Sequence, residues 1–158
     1  MRVLFVCLGN ICRSPLAHGI FEHVAAERGL DIEVGSAGTS HWHIGEPPDY
    51  RSIAVAARHG IDLTPQRARQ FCAADFERFD LIIGMDRSNL MKMERLRGGP
   101  GGTQPHLLLE YALGEDRDVP DPYCGEMDAF EACYRIIRAG AEALGTRLAS
   151  GIDNPPRS

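Results

Sequence analysis

The chain has 158 residues, 44% of them hydrophobic, enough for one domain that buries roughly two thirds of the surface its unfolded form exposes. Its net charge of −5, with 17 scattered basic residues and no interleaved aromatics, argues against nonspecific nucleic-acid binding, so no nucleic-acid partner is expected. The cysteines at 7, 12, 72, 124 and 133 form an odd set without C-x2-C spacing, which argues against a disulfide framework and a structural zinc site. A reducing cytoplasm is the expected location, and the chemistry described below calls for no metal and no cofactor.

In chain order, Arg2 to Cys7 reads as a first strand, too short for a secretory signal or a membrane span. Ser14 and Pro15 read as the N-cap and first residue of a helix. Leu16, Ile20 and Val24, flanked by Ala17, Phe21 and Ala25, form its apolar stripe, and Arg28-Gly29 ends it with a left-handed glycine cap. Residues 31–35 read as strand two. A second helix is expected over about 49–59, ending at His59-Gly60, and strand three over Leu81-Ile82-Ile83-Gly84-Met85. Strand four falls near 106–110, and the last helix over 127–149, where Phe130, Cys133, Ile137, Ala141, Leu144 and Leu148 recur at spacings of three and four. Cys133 is therefore a core residue. Strands alternating with amphipathic helices predict an α/β, doubly wound, four-stranded parallel sheet with helices on both faces. The domain is expected over 1–151 and a C-terminal tail over 152–158.

The most specific signal is Cys7-Leu8-Gly9-Asn10-Ile11-Cys12-Arg13-Ser14-Pro15, directly after strand one. Five residues between Cys7 and Arg13 suit a phosphate loop that turns its backbone N–H groups inward around an oxyanion. The start of the next helix adds its positive end. Inward amides, a helix start and Arg13 all favour the thiolate over the thiol, so Cys7 reads as a nucleophile rather than a small buried hydrophobe. Arg13 offers a planar fork that binds two phosphoryl oxygens. In doubly wound sheets ligands bind beyond the carboxyl ends of the strands, which is where Cys7 stands. Neither a Gly-x4-Gly-Lys-Ser/Thr loop nor a dinucleotide fingerprint is present, and Gly98-Gly99-Pro100-Gly101-Gly102 reads as a plain loop. A second constellation, Asp118-Val119-Pro120-Asp121-Pro122-Tyr123, lies between strand four and the last helix on proline-stiffened backbone. By itself an Asp between prolines is a turn residue; beside a thiolate, Asp121 is a candidate general acid for the leaving oxygen.

With both loops identified, the chain resembles the low-molecular-weight protein tyrosine phosphatase family along nearly its whole length. The phosphate-loop signature matches without a gap. Further similarity lies in Ser36-Ala37-Gly38-Thr39, in Trp42 with Gly45-Glu46-Pro47-Pro48-Asp49, in Ala68-Arg69-Gln70, in Met85-Asp86-Arg87-Ser88-Asn89-Leu90 and in Asp121-Pro122-Tyr123. The resemblance implies Cys7 as nucleophile, Arg13 as phosphoryl clamp, Asp121 as acid and later base, and a cysteinyl-phosphate intermediate. It further implies that Leu8, Gly9, Asn10, Ile11, Cys12 and Ser14 form the phosphate site, with Asn10 holding its shape and the Ser14 hydroxyl stabilising the thiolate. Trp42 and Tyr123 would wall the ring of a phosphotyrosine on a protein or peptide, and inorganic phosphate and vanadate would inhibit. Cys12 would trap an oxidised Cys7 as a reversible disulfide. Some bacterial members that prefer phosphoarginine carry Thr where Ile11 stands, so Ile11 points to aryl phosphate. Cys124 replaces a frequent second aromatic, and His41 precedes Trp42 where Asp is common. His41, His43 and His59 are read as hydrogen-bonded structural residues without a catalytic role. Two rivals are an arsenate reductase of the same fold, which needs a downstream cysteine pair not seen here, and a phosphate-binding or thiol-switch module, against which Asp121 argues.

Overall fold

The computed structural model describes residues 1–151; the expected tail at 152–158 lies outside them. The elements run β1 (Arg2–Cys7), α1 (Arg13–Glu27), β2 (Glu33–Gly38), α2 (Tyr50–Arg58), α3 (Asp75–Arg78), β3 (Leu81–Gly84), α4 (Arg87–Arg97), β4 (Pro105–Leu107), α5 (Leu108–Leu113) and α6 (Met127–Ala149). The four strands form one sheet of order β2-β1-β3-β4, parallel throughout. The chain leaves β1 to one side for β2 and reaches β3 on the other, so the switch point lies at the carboxyl end of β1.

Both faces of β1 are buried, and alternate residues enter different cores. Val3 and Phe5 join the larger core with α1, α2, α5 and α6, where Phe5 meets Phe21 edge to face at 5.7 Å. Leu4 and Val6 face Phe71, Phe76, Phe79, Ile82 and Met93, contributed largely by α3, β3 and α4. Two glycines let α6 approach closely, since a Cβ on Gly140 would meet Leu108 at 3.0 Å and one on Gly145 would meet Val24 at 2.7 Å. Among the described residues no helix is long and apolar enough to cross a membrane.

Helix ends follow the glycine signals. Gly29 takes φ 65°, with Leu30 N–H donating to Ala25 C=O and Gly29 N–H to Ala26 C=O. Gly60, at φ 77°, ends α2 in the same way through Ile61 and Ala56.

Three expectations shift, and two helices were not expected. Helix α1 begins at Arg13 behind Cys12, so Ser14 is not its N-cap; the Ser14 side chain turns toward Cys7 instead, and Pro15 falls within the first turn, where no intrahelical donor is needed. Strand β2 runs 33–38 rather than 31–35, because the small residues Ser36, Ala37 and Gly38 pair with Phe5, Val6 and Cys7. Strand β4 spans only 105–107, and the apolar run Leu107-Leu108-Leu109 continues as α5 instead of strand. Helices α3 and α4 carry too faint an apolar stripe to be read from periodicity: α4 buries only Asn89 and Met93. Its signal is local, a capping box between Asp86 and Asn89.

Candidate active site

Cys7 ends β1 at the switch point, 3% exposed, and residues 8–12 curl from it into α1. The loop's carbonyls are held from outside: Thr39 N–H donates to Cys7 C=O at 2.9 Å, Ser40 N–H to Leu8 C=O at 2.9 Å and Asp49 N–H to Ile11 C=O at 2.7 Å. The amides of residues 8–12 find no acceptor among the described residues and are left for an anion inside the ring. Asn10 makes the turn at φ 58°, and its side chain braces the loop. Its Nδ2 donates to Ser14 Oγ (2.7 Å) and Ser36 Oγ (3.1 Å), and its Oδ1 accepts from Arg69 N–H (3.0 Å). Gly38 lets the loop pass: a Cβ there would stand 2.8 Å from Leu8 O.

Ser14 Oγ lies 3.1 Å from Cys7 Sγ and 3.4 Å from Ala37 O. Since Asn10 donates to that hydroxyl, its own proton is free for sulfur, and a thiolate there is the closer and charged acceptor. The Arg13 side chain is 3% exposed, and Nη1 donates to Asp86 Oδ2 at 2.7 Å and to Val119 O at 2.9 Å. Its Nη2 stands 3.6 Å from Asp121 Oδ2. Burial opposes the charge, yet Cys7, the Asp86 hydrogen bond and Asp121 together push the guanidinium's pKa above its ordinary value. Because Nη1 is committed to protein, Nε and Nη2 are the donors Arg13 has left for an oxyanion, not its whole fork.

One pocket of about 100 Å³ is lined by Cys7, Leu8, Gly9, Ile11, Cys12, Arg13, Trp42, His43, Asp121 and Tyr123. It thus gathers most of the sequence-predicted residues, with Asn10 and Ser14 behind the loop. Asp121 is exposed, with Oδ1 accepting from Tyr123 N–H at 3.1 Å. Trp42 and Tyr123 stand at the mouth, 64% and 49% exposed, so neither is committed to the core. Cys12 is 5% exposed; burial, with Asp49 and Cys7 adding to it, pushes its thiol well up, so it is neutral where Cys7 is flanked by donors. Burial likewise pushes Cys133 up to about 12.

Two residues that the sequence reading gave no part in the site are brought to it: Asp86, named there only within the Met85–Leu90 similarity, and His43, read there as a hydrogen-bonded structural residue. Asp86 holds Arg13, and beyond that similarity its sequence signal is an acidic helix cap just past β3. His43 lines the pocket with its ring over Gly9 and its Nδ1 2.9 Å from Glu46 Oε2; the i, i+3 spacing of a histidine and a glutamate was its faint trace.

Residues 2–153 match the family described as low molecular weight phosphotyrosine protein phosphatase. The chain is 42% identical over 147 residues to the low molecular weight protein-tyrosine-phosphatase YfkJ of Bacillus subtilis, covering 91% of this chain and 93% of that protein. It is 40% identical over 148 residues to the human low molecular weight phosphotyrosine protein phosphatase, covering 89% and 93%. The crystal structure of YfkJ superposes with a TM-score of 0.88 at 38% identity over 97% of both chains. A drosophila arginine phosphatase superposes with a TM-score of 0.87 at 37% identity, over 94% of this chain and 98% of that one.

Proposed function

The chain belongs to the low molecular weight phosphotyrosine protein phosphatase family, and from that premise we propose that it hydrolyses phosphotyrosine through a cysteinyl-phosphate, with Cys7 as nucleophile, Arg13 as phosphoryl clamp and Asp121 as general acid. The observation that carries this is one pocket lined by Cys7, Arg13 and Asp121 together, with Arg13 Nη2 3.6 Å from Asp121 Oδ2. The Cys7 thiolate attacks phosphorus, an S–P bond forms as the ester P–O bond breaks, and Asp121 gives its proton to the departing phenolate. Loop amides and the Arg13 edge take up the charge of the equatorial oxygens. Water then loses a proton to the Asp121 carboxylate and attacks phosphorus, releasing phosphate and restoring the thiolate. Ser14 holds that thiolate as leaving group.

Trp42 and Tyr123 wall the substrate ring, and the depth between them suits an aryl ester on a protein or peptide. The likeness to an arginine phosphatase makes phosphoarginine the competing substrate. Ile11 lines the pocket with carbon alone and offers a guanidinium no polar partner, which favours the aryl ester. Phosphate and vanadate would occupy the loop as inhibitors. Oxidation of Cys7 by hydrogen peroxide to a sulfenic acid would be followed by attack of Cys12 sulfur, forming the disulfide with loss of water. A reducing cytoplasm keeps both thiols available.

The test is phosphate release from a phosphotyrosine peptide in EDTA, for the wild type and Cys7→Ser, with a phosphoarginine peptide in parallel. Turnover dependent on Cys7 and faster on phosphotyrosine supports the proposal. Faster release from phosphoarginine replaces the substrate class, and no release from folded, reduced protein overturns it.

A further inference from the structure

Arg51, in the first turn of α2, lies outside the pocket lining, yet it is bonded to the segment that carries Asp121. Its Nη2 donates to Tyr123 O at 3.0 Å and its Nη1 to Gly125 O at 2.8 Å. The backbone N–H of the same residue, Tyr123, donates to Asp121 Oδ1 at 3.1 Å. Arg51 therefore grips the residue that aims the Asp121 carboxylate. The guanidinium also lies 4.3 Å from the ring centroid of buried Phe130 and 5.7 Å from that of Tyr123.

Its remaining bonds reach the other catalytic loop. Nε and Nη2 donate to the two oxygens of Asp49 at 3.0 Å each. Asp49 caps α2 and donates its own N–H to Ile11 O at 2.7 Å, while Ser52 Oγ, one residue beyond Arg51, donates to Cys12 O at 3.4 Å. Asp49 is thus tied to the phosphate loop and Arg51 to the acid loop, joined by a fork-on-carboxylate pair whose side chains are 9% and 18% exposed.

We propose that Arg51 is a positioning residue for proton transfer, setting the Asp121 carboxylate relative to the leaving oxygen by holding the Tyr123 and Gly125 carbonyls in register with the Cys7 loop. This rests on Asp121 being the general acid. Four hydrogen bonds in fixed directions are what a planar guanidinium supplies and an ammonium does not. Loss of Arg51 leaves the thiolate, the loop amides and Arg13 in place and misdirects the acid.

The experiment measures kcat/KM for p-nitrophenyl phosphate and for phenyl phosphate, whose leaving group depends more on protonation, together with the Kd of vanadate. The variants are Arg51→Met, Arg51→Lys, Asp121→Ala and the double Arg51→Met/Asp121→Ala. Arg51→Met should lower kcat/KM for phenyl phosphate about tenfold more than for p-nitrophenyl phosphate, with vanadate Kd within about twofold of wild type. In the Asp121→Ala background the same change should cost less than about twofold, because the group it aims is already gone. Equal losses on both substrates, weakened vanadate binding, or losses that multiply with those of Asp121→Ala overturn the positioning role. Wild-type kcat/KM in Asp121→Ala instead overturns the general-acid assignment, and the role of Arg51 with it. Should Arg51→Met fail to fold by far-UV circular dichroism, Arg51→Lys carries the same cycle, with a smaller but still leaving-group-dependent loss.

Discussion

Substituting Gly38 by Ala tests whether the phosphate loop is held to sub-ångström tolerance. An added Cβ would stand 2.8 Å from Leu8 O and 3.0 Å from both Asn10 N and Gly9 C, all backbone atoms of the loop. Ordinary contact begins at 3.4 Å, so the separation must grow by 3.4 − 2.8, about 0.6 Å. Neither side yields freely. Leu8 O is bonded to Ser40 N–H, Asn10 to Arg69 N–H, and Gly38 itself to Arg69 O and Phe71 N–H. Overpacking of this kind costs about 1–3 kcal/mol of stability. With Cys7 as the proposed nucleophile, a displacement of that size in its loop should lower kcat/KM about tenfold to a hundredfold. Urea unfolding reads the first, and steady-state hydrolysis of a phosphotyrosine peptide with vanadate titration reads the second. Gly35→Ala is the control on the same strand, since its Cβ would meet only side chains at ordinary contact distance, the Phe79 ring at 3.4 Å and Leu4 Cδ1 at 3.5 Å. A Gly38→Ala protein with wild-type kcat/KM and vanadate affinity would refute the claim that glycine is needed for the loop to pass.

Other outcomes follow from the same geometry. Ser14→Ala removes the hydroxyl 3.1 Å from Cys7 Sγ and should slow intermediate breakdown about tenfold, read as a fall in kcat with the vanadate complex retained. Thiol labelling under native conditions should modify exposed Cys72 and Cys124, and Cys7 unless vanadate is present, but spare buried Cys12 and Cys133; mass spectrometry of tryptic peptides checks this. Burial works against the Asp49 charge, but hydrogen bonds from Arg51 hold its carboxyl below the ordinary carboxylate range. With the folded value depressed, the native state binds fewer protons, so this stabilisation is complete above the unfolded carboxylate's range and is lost as pH falls through the folded value. Asp49→Asn should therefore lower stability at neutral pH and flatten the acid side of a stability-against-pH curve; an unchanged acid limb would remove Asp49 from that account.

The larger elements were legible because their signals are local or periodic. The last helix spans 127–149 as its stripe predicts, and the glycine ends of α1 and α2 fall where Gly29 and Gly60 stand. Strands buried on both faces, such as Val3 to Val6, announce themselves as unbroken apolar runs. Elements that bury little were not legible: α4 shows two buried residues and a cap, and the β4–α5 junction hides inside one leucine run whose conformation depends on its neighbours.

For the candidate site, covalent order alone determines the loop over residues 7–13, since thiol, amides and arginine lie within one turn of chain and their spacing sets what they can enclose. It also determines which residues meet that loop only to the extent that a strand end must lie at one edge of a parallel sheet. What packs there is decided by tertiary structure. Asp86 comes from behind β3 to take Arg13 Nη1, His43 folds over Gly9, and Arg51 reaches from α2 to the carbonyls beside Asp121. Hydrogen bonds between segments 70 or more residues apart leave no periodicity in sequence, because they depend on direction and distance in the folded sheet rather than on spacing along the chain.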